Sequence, residues 1–374
     1  MAKGETMKTL FIVSKGIGKK PDEVIRQLEA EDKEPRLSLM EKELNTTILD
    51  ERYLETIPNS RKLAYSLLPI DLVLFLEAWV IHKQFDVVLS YYERVGFPFA
   101  LLQKFRGSNT PHIVLTTWFS SSEKAWFLQN IHDHLAQIIT WSSNQYEFAI
   151  EQLQIPRENI KLIKRGTDQK FWRPISAETD RICSVGMEMR DYATLIDALK
   201  TLNISCHIAT GTSRGQLFDT VKTLYEIDCI PGHVTVGSKS TTKLRELYAK
   251  SRFVVVPLLP TDTDNGITTI LEAMAMGKPV ICSRTEGQID VIQDGVTGIF
   301  VPPNDPIAMR KAILELWNDP EKCLQMGIEA RKYIEENHTL EKFVDDIKKE
   351  IELIIQGAPP KPQYVPKKLH VESN

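Results

Sequence analysis

Short apolar runs rich in β-branched residues recur along the chain, each followed by a turn and a longer mixed stretch. Runs this short, apolar without alternation, predict parallel strands buried on both faces. In the first half they are Met7–Ser14, Thr46–Leu49, Phe85–Tyr91, His112–Thr117, Gln137–Trp141 and a run that begins at Ile160. In the second half they are Arg181–Val185, Ser205–Ala209, His233–Val236, Phe253–Val256, Val280–Cys282 and a run from Ile299. Helical patterns lie between them: 20–43, Phe97–Phe105, Ser142–Gln152, Ala193–Lys200 and Leu244–Lys250, then Pro306–Asn318, Pro320–Glu335 and Leu340–Gln356. Strands that alternate with helices in both halves predict an α/β protein of two doubly wound parallel-sheet domains with a cleft between them. A polar stretch, Arg173–Asp180, separates the halves. The expected domains are residues 1–173 and 178–338.

Phe253–Pro279 carries the strongest chemical signal. Phe253–Val256 is a strand, and Pro257 and Pro260 stop it. A polar loop, Thr261–Gly266, leads into a helix that opens with Ile267, Thr268 and Thr269 and runs through Glu272 to Met276. Gly277 suits the helix C-terminus, with Pro279 just beyond. A strand that empties through a glycine-bearing loop into a helix start is an anion site, because unpaired amides and the helix dipole both favour phosphate. Asp264 in the loop and Glu272, two turns inside the helix, are acceptors for sugar and ribose hydroxyls. Phosphate amides between two hydroxyl acceptors point to a nucleotide-sugar.

Asp264, seven residues, Glu272-Ala-Met-Ala275 and then Gly277-Lys-Pro-Val280 resembles the signature of the family 4 retaining glycosyltransferases, enzymes of the GT-B fold. The first acid is usually Glu, and the glycine usually lies three residues after it, where Gly266 lies two after Asp264. Other matches follow in order. Val185-Gly186 opens a loop that carries Arg190, although the usual Arg after the glycine is Met187. Arg165-Gly-Thr-Asp168, with Phe171 and Pro174, resembles the strand-end motif N-G-x-D…F-x-P, with Arg165 in place of Asn and Gly166 a further donor-facing candidate. Asp294-Gly-Val-Thr-Gly298 matches a turn, and Asp290 stands where Glu is common. The family's first-domain His has no counterpart after Thr117.

The resemblance implies two Rossmann-like domains facing a central cleft, with the last helix and tail (340–374) crossing back onto the first domain. It implies transfer of a hexosyl group, with retention, from a nucleoside-diphosphate sugar to a hydroxyl acceptor: a saccharide, a lipid or a small metabolite. UDP is the favoured nucleotide, with no cofactor and no metal. Asp264 would hold donor-sugar hydroxyls, Glu272 the ribose, and Arg190 the diphosphate. Gly186, Asn265, Gly266, Ile267, Thr268 and Thr269 would line the donor, and Gly16 and Gly18 would reach it from the first domain. Glu93 and Arg94, after a first-half strand, are acceptor-side candidates or a surface ion pair. Two alternatives remain. One is other nucleotide-sugar chemistry on the same scaffold, an epimerase or phosphorylase. The other is a degenerate protein that binds sugar nucleotides without turnover.

Composition narrows the setting. The 374 residues carry a net charge of −4, which argues against a nucleic-acid partner. The five cysteines form no C-x-x-C pair and read as thiols in a reducing compartment, hence a cytoplasmic protein. Met1–Thr9 is polar and Leu10–Val13 too short for a signal peptide. Leu63–Ile81 is the longest apolar stretch, but Pro69, Asp71 and Glu77 interrupt it. It reads as one or two buried helices, or as a surface that touches the inner face of a membrane. His132-Asp-His134 is a short metal-like pattern without a third ligand nearby, and Asp262-Thr-Asp264 matches the D-x-D of metal-dependent transferases of another fold but sits late, inside the signature, with no room for a second half-domain after it.

Overall fold

The computed structural model describes residues 7–14, 21–210, 224 and 230–357. Among them, β1 (Thr9–Ile12), β2 (Thr46–Leu49), β3 (Val87–Tyr91), β4 (His112–Thr116), β5 (Gln137–Thr140) and β6 (Ile160–Leu162) form one sheet, in the order β2-β1-β3-β4-β5-β6. The strands β7 (Arg181–Val185), β8 (Cys206–Ala209), β9 (Val234–Val236), β10 (Ser251–Val256), β11 (Val280–Ser283) and β12 (Gly298–Val301) form the second, in the order β12-β11-β10-β7-β8-β9. Every pairing is parallel. Each sheet therefore opens all its strand C-termini along one edge. The chain winds outward in both directions from β1/β3 in the first sheet and from β7/β10 in the second. Such reversals leave a crevice beyond the strand ends, where α/β proteins bind ligands.

Burial explains the apolar runs. β4 and β5 are buried at every residue, as β1 is, and helices cover both faces. The last helix, Leu340–Ile355, buries Phe343, Val344, Ile347 and Ile351. It shares a core with Leu44, Leu89 and Ile139 of the first half, and its Lys348 pairs with Glu43 at 3.5 Å. Asp168 ties the strand-end turn down. Its carboxylate accepts from the Arg36 amide at 2.7 Å, from the Arg36 guanidinium at 2.6 Å, and from the Lys170 amide at 3.1 Å. Gly166 packs on the Thr339 carbonyl, where a side chain would not fit, so it faces the last helix and not the cleft. Cys183, Cys206, Cys282 and Cys323 are free and buried.

Two expectations change. The helix expected over Phe97–Phe105 begins four residues earlier and spans Glu93–Arg106. Gly96 and Pro98 look like breakers in sequence. Here Pro98 lies only in the second turn, and Gly96 lets the helix settle on β3 and β4. A Cβ there would lie 2.4 Å from Ser90 Oγ and 3.0 Å from Val114 Cγ1. The Leu63–Ile81 stretch divides into two helices of different character. Ile70–Ile81 buries Val73, Leu74, Glu77, Ala78 and Ile81, whereas Asn59–Tyr65 buries nothing. Leu63 is 78% exposed and Leu67 94% exposed. Among the described residues no helix is long and apolar enough to cross a membrane.

Gly96→Ala is expected to displace Ser90 Oγ from its 2.9 Å contact with His112 Nε2, both buried. Overpacking of this kind costs about 1–3 kcal/mol. Equilibrium urea unfolding checks it, and an unchanged midpoint would show that the helix can ride away from the sheet at no cost.

Candidate functional site

The second sheet's crevice is built around one buried guanidinium. Arg190, in the loop after β7, donates through Nε to the Val185 carbonyl at 3.0 Å and through Nη1 to the Glu188 carbonyl at 2.8 Å. Its Nη2 donates to Thr269 Oγ1 at 3.3 Å, on the helix that follows β10. Gly186 (φ +116°) lies flat on that guanidinium, where a Cβ would come within 2.3 Å of Nη2. Gly266 (φ +91°) caps the helix Ile267–Ala275 from the other side, with Arg190 Nη1 3.6 Å from where its Cβ would be. Both glycines hold a left-handed backbone that other residues adopt at a cost. No side chain caps this helix, so the Thr268 and Thr269 amides face the crevice without an intrahelical acceptor.

The two acids stand on either side of this helix start. Glu272 is half-buried and accepts from Tyr248 Oη at 3.0 Å. Burial pushes its carboxyl up to about 7, against the Tyr248 hydrogen bond and the charge of Arg165, which lower it. Asp264 is buried, and burial pushes it up to about 6, with Arg165 and then Trp141 opposing. Asp264 Oδ2 has no hydrogen-bond partner, and neither has Trp141 Nε1, although the indole lies close enough to affect the acid. A buried carboxylate oxygen left unpaired is costly, and a ligand hydroxyl is the group that would satisfy it.

The first sheet's edge faces these acids. Tyr91 and Tyr92 end β3, Trp141 follows β5, and Arg165 follows β6. The Tyr91 ring packs on Tyr92 at 4.4 Å and near Trp141 at 6.0 Å between centroids. Arg165 lies over the Trp141 ring at 5.1 Å. Tyr92 has φ +77°, a conformation that costs a tyrosine about 1–3 kcal/mol and tends to cluster at functional sites. The two edges are pinned beside the crevice. Ser143 donates from its amide and hydroxyl to Asp290, at 2.9 and 2.5 Å. Ser120 Oγ bonds to Asp262, and Asn144 Nδ2 reaches the Asp262 carbonyl at 2.9 Å.

The structure thus brings Asp264, Glu272, Gly186, Asn265, Gly266, Ile267, Thr268 and Thr269 to one crevice. Ile267 is buried, and Asn265 Nδ2 bonds to Thr263 Oγ1. Arg190 lies beneath this surface, with three of its nitrogens engaged by the protein. Glu93 and Arg94 are not presented to the cleft. Glu93 is buried and accepts from the Thr117 and Trp118 amides at 2.5 and 2.8 Å, while Arg94 pairs with Asp71 at 2.6 Å on the surface. Gly16 and Gly18, and the tail after Gly357, lie outside the described residues. Asp262 turns its carboxylate to Ser120 and does not join Asp264. Among the described residues no group of three His, Cys, Asp or Glu side chains could hold a metal. Sequence reasoning gave no role to Arg165, Trp141, Tyr91, Tyr92 and Tyr248. Four of these stand at strand C-termini of the first sheet, which is the signal that could have found them.

Residues 180–333 match the family model described as glycosyl transferases group 1. The second half of the chain is thus similar to the group 1 glycosyl transferases. An uncharacterized glycosyltransferase of Methanocaldococcus jannaschii is 27% identical over 155 residues, 41% of this chain and 42% of that protein. The match therefore spans less than half of that relative's length. The sucrose-phosphate synthase of Thermosynechococcus elongatus has the same fold, with a TM-score of 0.71, 16% identity, and coverage of 94% of this chain and 100% of that one. The Anabaena protein HepE, solved in complex with UDP and glucose, follows at a TM-score of 0.68 and 16% identity, with 92% and 99% covered. The expected GT-B architecture is thus the observed fold.

The raised acids make a signed prediction for this domain. An unfolded carboxyl titrates near about 4. Glu272 keeps its proton to about 7 in the fold. Between those values the folded protein binds more protons than the unfolded chain, so this group lowers stability as pH rises through that window, with no further loss above it. Glu272→Gln removes the effect. Its Tm is expected to match wild type at pH 4 and to exceed it at pH 8 by about 2–4 °C for each kcal/mol recovered. Thermal melts at both pH values check it, and equal differences at pH 4 and 8 would show an ordinary carboxyl.

Proposed function

We propose that the chain is a retaining glycosyltransferase that moves a sugar from a nucleoside-diphosphate sugar, UDP-linked by preference, to a hydroxyl acceptor. The observation that carries this is the uncapped helix start at the β7/β10 crevice, with Asp264 and Glu272 on either side of it. The amides of Thr268 and Thr269 meet the diphosphate. Glu272, steadied by Tyr248, takes ribose hydroxyls, and the unpaired Oδ2 of Asp264 takes a hydroxyl of the donor sugar. The bond from the anomeric carbon to the diphosphate breaks, and negative charge grows on the leaving oxygen. Fixed amides aimed at that charge stabilise it without reorganisation. The acceptor hydroxyl attacks on the same face, and its proton passes to the leaving phosphate. The reading uses no metal and no nucleophilic side chain.

The acceptor would enter over the aromatic edge of Tyr91, Tyr92 and Trp141, whose faces suit a saccharide, the polar end of a lipid or a small metabolite. Exposed Leu63, Leu67 and Leu68 form the surface that would rest on a membrane if the acceptor is a lipid. Arg61 and Lys62 beside them already bond to Glu77 and the Glu55 carbonyl, so apolar contact rather than charge would dominate. UDP is the first donor to test, since the fold neighbour HepE was solved with UDP and glucose.

Titration calorimetry with UDP, GDP and ADP, in EDTA, tests the donor site. Micromolar binding of one nucleotide, lost in Glu272→Ala, is the expected result. Retained binding in EDTA supports the metal-free reading. Binding of none of the three by the folded protein would overturn the site, and binding without transfer to any acceptor would favour the degenerate reading.

A further inference from the structure

Arg165, a cation on the first domain's strand edge, has no ion pair among the described residues. Arg165 follows β6, and its carbonyl accepts from His338 Nδ1 at 2.8 Å, which fixes the backbone. The guanidinium rests over Trp141 at 5.1 Å, and among the described residues it makes no hydrogen bond and no ion pair. It is half-buried. The groups that feel its charge include Asp264 and Glu272, both in the opposite domain.

That placement has a chemical reading, which rests on the nucleotide-sugar function proposed above. Glu272 is assigned to the ribose and Asp264 to the sugar. In a nucleoside-diphosphate sugar, the diphosphate joins these two parts. A guanidinium held over Trp141, on the edge that Ser143 pins to Asp290 of the facing domain, stands on the wall opposite both acids, where the diphosphate would pass. The second domain, meanwhile, offers the diphosphate little charge from its Gly186 loop. Met187 follows the glycine, and Arg190 is buried with its donors on the Val185 and Glu188 carbonyls and Thr269. The helix amides provide direction but only about half a positive charge. Among the described residues, the facing wall of the cleft offers a cation for the remainder.

We infer that Arg165 clamps the donor's diphosphate from the first domain, across the cleft from the Thr268 and Thr269 amides. The planar guanidinium, backed by the Trp141 face, has its donor edge available for two phosphate oxygens. With no ligand bound, the same charge offsets the two buried acids. The diphosphate then bridges the two edges, and the leaving group is gripped from both sides as its charge grows.

The test compares wild type, Arg165→Ala and Arg165→Lys in calorimetry against UDP, GDP and ADP, with the matching nucleosides followed by ligand-observed NMR. Loss of a charge-assisted pair predicts about 10–100-fold weaker diphosphate binding in Arg165→Ala, about 1.5–3 kcal/mol. Arg165→Lys should recover part of that loss, and nucleoside binding should change less than twofold in both variants. Diphosphate affinity within twofold of wild type in Arg165→Ala, with Glu272→Ala still defective, would overturn the clamp and leave the donor site standing. Equal loss of nucleoside and diphosphate would overturn it as well, showing that Arg165 only shapes the cleft. Failure of wild type to bind any of the three diphosphates would overturn the clamp together with the site beneath it.

Discussion

The Arg190 guanidinium, wedged between Gly186 and Gly266, fixes the geometry on which the site depends. It ties the β7 carbonyl end to the helix after β10 through Val185, Glu188 and Thr269. β7 and β10 are the neighbours between which the sheet reverses its winding, so this one side chain sits under the topological crevice. A side chain at Gly186 would strike the guanidinium and one at Gly266 would meet Val256 Cγ1 at 2.9 Å, so the helix start is held open at a defined height. Asp264 and Glu272 take their positions from the loop and helix that this contact locks. The arginine thereby shapes the surface above it.

A second constraint acts between the domains. Ser143 on Asp290, Ser120 on Asp262, and Gln145 bonded both to the Asp262 carbonyl and to Ser120 pin the two strand edges together beside the crevice. Gln145 also accepts from the Phe119 and Ser120 amides, at 2.9 and 3.2 Å, so the pinning surface is itself rigid. The consequence is electrostatic. Burial pushes Asp264 and Glu272 toward their neutral forms, and the Arg165 charge from the facing edge is the main opposing influence on Asp264. The cleft is thus a low-dielectric slot in which a single charge matters far more than it would in water.

How much of this was legible in the sequence follows from what each signal depends on. The strands read well, because full burial in a parallel sheet writes itself as a continuous apolar run; Arg181–Val185 and Thr46–Leu49 were predicted to the residue. The helix start at Glu93 was not, since Gly96 and Pro98 mimic a loop until the Ser90 and Val114 contacts show why the glycine is needed. Asp264 and Glu272 were visible through their spacing around a helix start, which is local information. The role of an arginine is not local. In sequence Arg190 looks like a phosphate ligand and Arg165 like a departure from a turn motif; packing buries the first under carbonyls and leaves the second over Trp141. Glu93 likewise reads as an exposed acid, and only the neighbouring strand end shows that it caps the Thr117 and Trp118 amides.

The acids and the cation belong to different domains, whose edges Ser143 and Ser120 hold together through Asp290 and Asp262. An acid pair alone would repel a diphosphate. At about 6 and about 7, Asp264 and Glu272 are partly protonated near neutral pH, which softens that repulsion without removing it. Placed across the cleft, as Arg165 is, a cation meets a ligand that lies between edges already joined through Ser143 and Asp290, so the two charges of opposite sign act on it from opposite walls.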